Sequence, residues 1–183
     1  MRNKLNAITA LIVIALSVIS CEKKVGTIQK IDILTLPSLT AKDFTTTYTD
    51  SGKLQLELSA PLMESYDKAE TPYSEFRFGI NVLFHDGNKE PVASVIAKNP
   101  RYTHNSNLWE LKDSVIVINE SGDKLETEVL NWSEEKDLIY TDRFVKITNE
   151  DQVIHGFGFE SDSHLNNRKI KKVQATIYFN DEE

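Results

Sequence analysis

The sequence predicts an all-β domain built from short antiparallel strands. Apolar and polar residues alternate at a period of two over several runs, turn-forming clusters separate those runs, and no stretch of ten or more residues keeps a period of 3.6. In "LQLELSA", Leu54, Leu56, Leu58 and Ala60 point one way and Gln55, Glu57 and Ser59 the other. "FRFGINVLF" puts Phe76, Phe78, Ile80, Val82 and Phe84 on one face, and "VQATIYF" does the same with Val173, Ala175, Ile177 and Phe179. Such alternation marks a sheet with one apolar and one wet face. Turns are expected at "DSG" (50–52), "DGN" (86–88), "ESGD" (120–123) and "TNED" (148–151), with Glu134 to Asp137 as a further hairpin loop. About twelve to fifteen strands of ordinary length fit between them. Leu62 to Lys68 is the one segment suited to a short helical turn.

Ahead of the strands lies a segment of another kind. "MRNKLNAITALIVIALSVISCEKK" has a basic start (Arg2, Lys4), an apolar run from Ala7 to Ile19, and Ser20 before Cys21, the chain's single cysteine. This is the layout of a secretory signal peptide over residues 1–20, and "VISC" resembles a bacterial lipobox that would make Cys21 the lipidated first residue of the mature protein. An uncleaved anchor is the alternative, but the run is shorter than the roughly 20 residues a spanning helix needs. Residues 21–30 then read as a lipidated cysteine and polar tether, and residues 31–183 as one β-domain that must fold without a disulfide.

Composition bounds the function. With 183 residues the chain can build one core, and with 27% charged and 40% hydrophobic residues it is neither disordered nor polytopic. The formal net charge of −7, lowered by two more if Arg2 and Lys4 are removed, argues against nucleic-acid binding, which needs a basic surface. His85, His104, His155 and His164 lack metal-ligand spacing, so neither metal nor cofactor is expected. No nucleophile stands with a base, and no GxxxxGK[ST] loop is present, so the chain does not read as an enzyme. Asp142 and Asp162 suit turn acceptors, and Arg168, Lys169, Lys171 and Lys172 suit a solvated face or contacts to lipid phosphates.

A weak internal repeat is also present. "WELKDSVIVI" (109–118) and "LIYTDRFVKI" (138–147) share an apolar lead, a polar step at Asp113 and Asp142, and a β-branched end. Each precedes a turn and a second strand, as stacked hairpin units would require.

The series "TPYSEFRFGINVLF" (71–84), "LETEVLNW" (125–132), "IYTDRFVKI" (139–147) and "GFGFESD" (156–162) resembles the LptC proteins of lipopolysaccharide export, in the form found in Bacteroidetes-type bacteria. The resemblance covers about residues 31 to 179 and implies a single open antiparallel β-jelly roll, V-shaped in section, with an apolar groove. It further implies a periplasmic protein that accepts lipopolysaccharide from an inner-membrane ABC transporter and passes it to an LptA-like bridge protein; the lipobox adds the expectation that this chain is lipid-anchored at the inner membrane. Better-known relatives carry a transmembrane helix where this chain has its lipobox, which puts any role of that helix in doubt here.

Strand parity nominates the layer that would line such a groove. Trp109, Leu111, Val115 and Val117 match Ile139, Thr141, Val145 and Ile147, and Leu125, Thr127, Val129, Phe157 and Phe159 extend them. Parity alone fits an open groove and a closed core equally. Gly156 and Gly158 read as a bulge or, by the resemblance, as the edge at which the bridge protein adds a strand. The other open reading is a β-sandwich lipoprotein that acts as a structural or assembly module and carries no lipid.

Overall fold

The computed structural model describes residues 32–86, 90–162 and 167–177, so the leader, Cys21, the tether, His164 and Phe179 lie outside the described residues. Eleven strands and two 3-10 turns make up the rest. The strands are β1 (Leu39–Asp50), β2 (Lys53–Tyr66), β3 (Tyr73–Glu75), β4 (Ile80–Phe84), β5 (Ala93–Ala97) and β6 (Arg101–Thr103), then β7 (Leu108–Ile118), β8 (Lys124–Ser133), β9 (Leu138–Thr148), β10 (Gln152–Ser161) and β11 (Lys169–Ile177). All pair antiparallel in one sheet. The all-β expectation holds, with fewer and longer strands than alternation suggested. Leu62 to Tyr66 continues β2 instead of turning helical.

A bend crosses this sheet and divides it into two arms. β2 pairs with β4 through Leu56–Ser59 and with β3 through Glu64–Tyr66, while β7 pairs with β5 through Ile116–Ile118 and with β6 through Leu108–Glu110. The first arm therefore holds β4 and β5, the second β3 and β6, and the long strands run through both. Where they cross the bend their registers slip: between Lys112 and Val115, between Thr127 and Asn131, and between Phe157 and Phe159. Asp113 (φ 61°), Ser114 (φ 58°) and Gly158 (φ 75°) take the left-handed backbone that such bulges use.

The bend is visible in the sequence as a lapse of alternation. β7 and β9 share one burial pattern thirty residues apart, with an exposed triplet (Lys112–Ser114, Asp142–Phe144) set between buried pairs. This is the predicted repeat, and its polar step is a bulge. Buried threonines satisfy the backbone groups freed there. The Thr127 hydroxyl donates to the Phe144 carbonyl at 2.8 Å, and the Arg143 amide donates to Thr141 Oγ1 at 3.1 Å. Across the bend the Lys98 and Asn99 amides donate to the Asp113 and Lys112 carbonyls at 3.1 and 3.0 Å.

The same bend corrects one predicted strand. Phe76 to Phe84 is interrupted by a turn at Arg77–Gly79, where Gly79 has φ +94° and an added Cβ would lie 2.7 Å from the Ala97 carbonyl. Phe76, Ile80 and Val82 are buried, but Phe78 is 71% exposed on the outside. The expected turn at 86–88 runs outside the described residues; the other expected turns form. Ser51 and Gly52 both have positive φ in the β1–β2 hairpin, and the Asn149 side chain accepts from the Asp151 and Gln152 amides.

Candidate functional site: an apolar concave face

Cross-strand register settles which residues share the inner face. In the first arm one row runs Leu58, Val82, Val95, Val117, Leu125, Ile147, Ile154 and Ala175. In the second, Leu111 faces Leu130, and Thr141 faces Phe159 and then Ile170. Leu58, Val82, Leu111, Val115, Val117, Leu125, Leu130, Val145, Ile147 and Phe159 belong to one buried apolar cluster, with Trp109, Ile139, Ile154 and Ile170 packed against it. Of the thirteen residues of the predicted layer, eleven (Trp109, Leu111, Val115, Val117, Leu125, Thr127, Ile139, Thr141, Val145, Ile147 and Phe159) therefore lie together on this face.

Two do not, and the bulges are the reason. β10 turns Ile154 and Gly156 inward before Gly158 and Phe159 and Ser161 inward after it, so the phase of alternation reverses. Phe157 falls on the outer face, 55% exposed, with its ring edge against Phe144 at 5.5 Å. On β8 the same reversal turns Val129 outward opposite Lys112 and brings Leu130 inward opposite Leu111. Leu130 was the residue that simple parity missed.

The glycines also need correction. β10 is paired on both sides, with β9 and with β11, so Gly156 and Gly158 are not on a free edge. Gly156 is a close-approach position: an added Cβ would collide with the Lys172 carbonyl and the Ile170 side chain. Among the described strands the free edges belong to β11, and to β1, which pairs only with β2.

Burial varies along the face. At the bend Val145 and Phe159 are completely covered (0%). Toward the β11 edge the cover is lost: Val173 is 56% exposed, and it lines an open cleft of about 300 Å³ with Ile147, Asn149, Gln152, Ile154, Arg168 and Ile170. The rim is charged. Arg168 pairs with Asp123 at 2.5 Å and Lys171 with Glu160 at 2.7 Å, which holds the Glu160 carboxyl below its usual range, so part of the basic cluster is engaged in ion pairs.

The second arm carries a polar row of which sequence reasoning singled out only Trp109 and Ile139. Register links Ser65, Ser74, Tyr102, Trp109, Trp132, Ile139 and Ser161. Ser74 Oγ lies 2.9 Å from His104 Nε2, but His104 Nδ1 is 4.0 Å from the exposed Asp67 carboxylate. That gap is too long to orient an imidazole for acyl transfer. The trio ties β3 to β6 and does not form a catalytic triad. Among the described residues no group of three or more side chains could hold a metal, and no helix is long and apolar enough to cross a membrane.

The described residues thus form one antiparallel sheet with an apolar inner face and ion pairs at its β11 rim, an all-β domain of the jelly-roll class. The family comparison agrees: residues 7–178 match the model described as "Lipopolysaccharide-assembly, LptC-related", and the chain belongs to that family. The family serves lipopolysaccharide transport at the periplasmic side of the inner membrane and is a transport component, not an enzyme family. No curated protein matches the chain.

Proposed function

We propose that the protein is a lipid-anchored periplasmic carrier that takes lipopolysaccharide from the inner-membrane ABC transporter along the concave face and hands it to an LptA-like bridge protein. The observation that carries this reading is the partly uncovered apolar strip beside β11, where Ile154, Ile170 and the exposed Val173 border an open cleft next to an edge that is free among the described strands. A sheet closed purely for its own stability has no use for such a strip, and an edge left open invites strand addition. The bridge partner then adds to β11, with β10 as the strand beneath it.

The face is a conduit, and it cannot drive transport. Burying a methylene is worth about 0.8 kcal/mol relative to water, but acyl chains arriving from a membrane are already dry, so net transfer is close to neutral. The work belongs to the partner ATPase. Anchoring rests on the lipobox reading of Cys21, which lies outside the described residues. Cys21→Ala should abolish acyl labelling, and labelling that persists would remove that part of the proposal.

The test is photo-crosslinking in cells from a probe at Val173, with the adjacent Lys172 as the outer-face control. A lipopolysaccharide adduct at Val173 alone supports the carrier. Its absence from a folded, correctly localised protein turns the assignment to the assembly module, the reading favoured by the complete burial of Val145 and Phe159.

A further inference from the structure

Among the described residues five buried polar side-chain atoms have no hydrogen-bond partner, on His85, Thr148, Trp132 and Ser161, and two of them, Trp132 Nε1 and Ser161 Oγ, lie on the inner face of the second arm. These two are not scattered. Trp132 stands opposite Ile139 on β9, and Ile139 stands opposite Ser161 on β10, so the two flank one isoleucine in a single row. Two strand spacings separate them, about 9–10 Å. Ser161 is 3% exposed. Their neighbours in the row are satisfied: Tyr102 donates to Asn107 Oδ1 at 3.0 Å and Trp109 Nε1 to Glu134 Oε1 at 2.9 Å. A protein that needed only apolar cover here would do better with phenylalanine and alanine, because an unpaired buried donor is destabilising.

We propose that Trp132 and Ser161 are hydrogen-bonding anchors for the carbonyl oxygens of an acylated ligand. The donor inventory selects the chemistry. An indole N–H only donates, so its partner must be an acceptor, and a hydroxyl can serve either way. A bare hydrocarbon chain offers nothing to either group. The ester or amide carbonyl where an acyl chain joins its headgroup offers what both need. Position fixes the direction of the cargo. Leu111, Leu130, Thr141 and Phe159 lie between this row and the bend, with the aliphatic rows of the first arm beyond. A chain held by its carbonyl at Trp132 or Ser161 runs toward the bend, with its headgroup left at the margin of the second arm. The Trp132 ring is only partly covered although its nitrogen is fully covered, so a side-chain movement opens the row without separating strands.

This inference rests on the carrier reading, and one experiment separates the two. The full chain is loaded with an apolar fluorophore, which is then displaced by dioctanoylphosphatidylcholine or by its dioctyl ether analogue, identical except for the two carbonyls. The expected result is displacement by both, with the ester effective at roughly three- to tenfold lower concentration. Trp132→Phe and Ser161→Ala should each reduce that preference, read as the ratio of the ester and ether concentrations that displace the fluorophore. Ser161→Ala should also melt no lower than the unaltered protein without ligand, since it removes an unpaired buried hydroxyl. Equal displacement by ester and ether, or a preference that both variants keep, overturns the anchors and leaves the carrier standing. Failure of the fluorophore and both lipids to bind overturns the carrier and the anchors together.

Discussion

Although the two arms of the sheet share their long strands, their inner faces differ. In the first arm the face is aliphatic from Leu58 through Val82, Val117, Leu125 and Ile147 to Ile154, and it loses its cover at β11. In the second, an apolar row close to the bend gives way to serines, indoles and Tyr102 at the margin. Between them the bend is closed, filled by Val145, Val115 and Phe159. The same strands therefore supply a closed line at the bend, an aliphatic face on one side that is buried as far as Ile147 and opens only at the β11 edge, and a margin of serines, indoles and Tyr102 on the other. Simple alternation can build an apolar face. It cannot set these three environments apart; that requires bulges, which rephase each strand as it crosses the bend.

The largest expected effect breaks the contrast between closed bend and open edge. Val145→Arg buries a charge where nothing can pair with it and should cost upward of about 4 kcal/mol, enough to unfold the domain. Val173→Arg, on the same face but at the open edge, should change stability by less than about 0.5 kcal/mol and act on lipid passage instead. Thermal or urea unfolding measures both. A folded Val145→Arg protein would mean that the bend is as open as the edge.

Next in size is Gly156→Ala. The new methyl meets the Lys172 carbonyl and the Ile170 side chain, so β11 must move or β10 must distort, at about 1–3 kcal/mol. Hydrogen exchange should show the loss in β10 and β11, with β7 and β8 unaffected. Uniform loss across the sheet would mean that β11 is not the separable outer strand of the first arm. Thr127→Val follows. It keeps the shape and removes the donor to the Phe144 carbonyl, so about 1 kcal/mol should be lost at the bend. No loss would show that the freed carbonyl finds water and that the bend is less dry than its valines suggest.

How much of this was legible in the sequence depends on the scale. Strand identity was, because Leu54 to Ala60 alternates cleanly and the paired runs at Trp109 and Ile139, apolar on either side of their polar step, end at Asp, Asn and Gly turns. The repeat was too, and the exposed triplets after Leu111 and Thr141 are its functional content. The phase reversal was not. Nothing in "GFGF" distinguishes a strand with Phe157 and Phe159 on one face from one in which Gly158 turns them apart. Val129 and Leu130 posed the same problem, because both are apolar and only the partner strand decides between them. Edges were invisible for a related reason: a strand's own residues do not say how many neighbours it has. The polar row of the second arm, apart from Trp109 and Ile139, was missed because its members come from Ser65 to Ser161 and meet only through register.

The smallest effect concerns the outer face of the first arm, where the contrast between arms should disappear. Glu126 stands between Lys124, at 2.8 Å, and Lys146, at 3.4 Å. The hydrogen bond from Lys124, helped by the charges of both lysines and opposed by partial burial, holds its carboxyl below the ordinary range. A carboxylate whose folded pKa is depressed stabilises the fold in its ionised form. That stabilisation is fully present above about pH 4.5, the ordinary value, and is lost as pH falls through the lower folded value. Exposed pairs of this kind contribute roughly 0.2–1 kcal/mol and are screened by salt. Glu126→Gln should therefore lower stability slightly at neutral pH and flatten its decline below pH 4.5, with both effects fading at high salt. Melting temperature against pH would decide it. If the variant declined with acid as steeply as the unaltered protein, the acid response would have to come from other carboxylates, and the Glu126 pairs would be surface contacts without energetic weight.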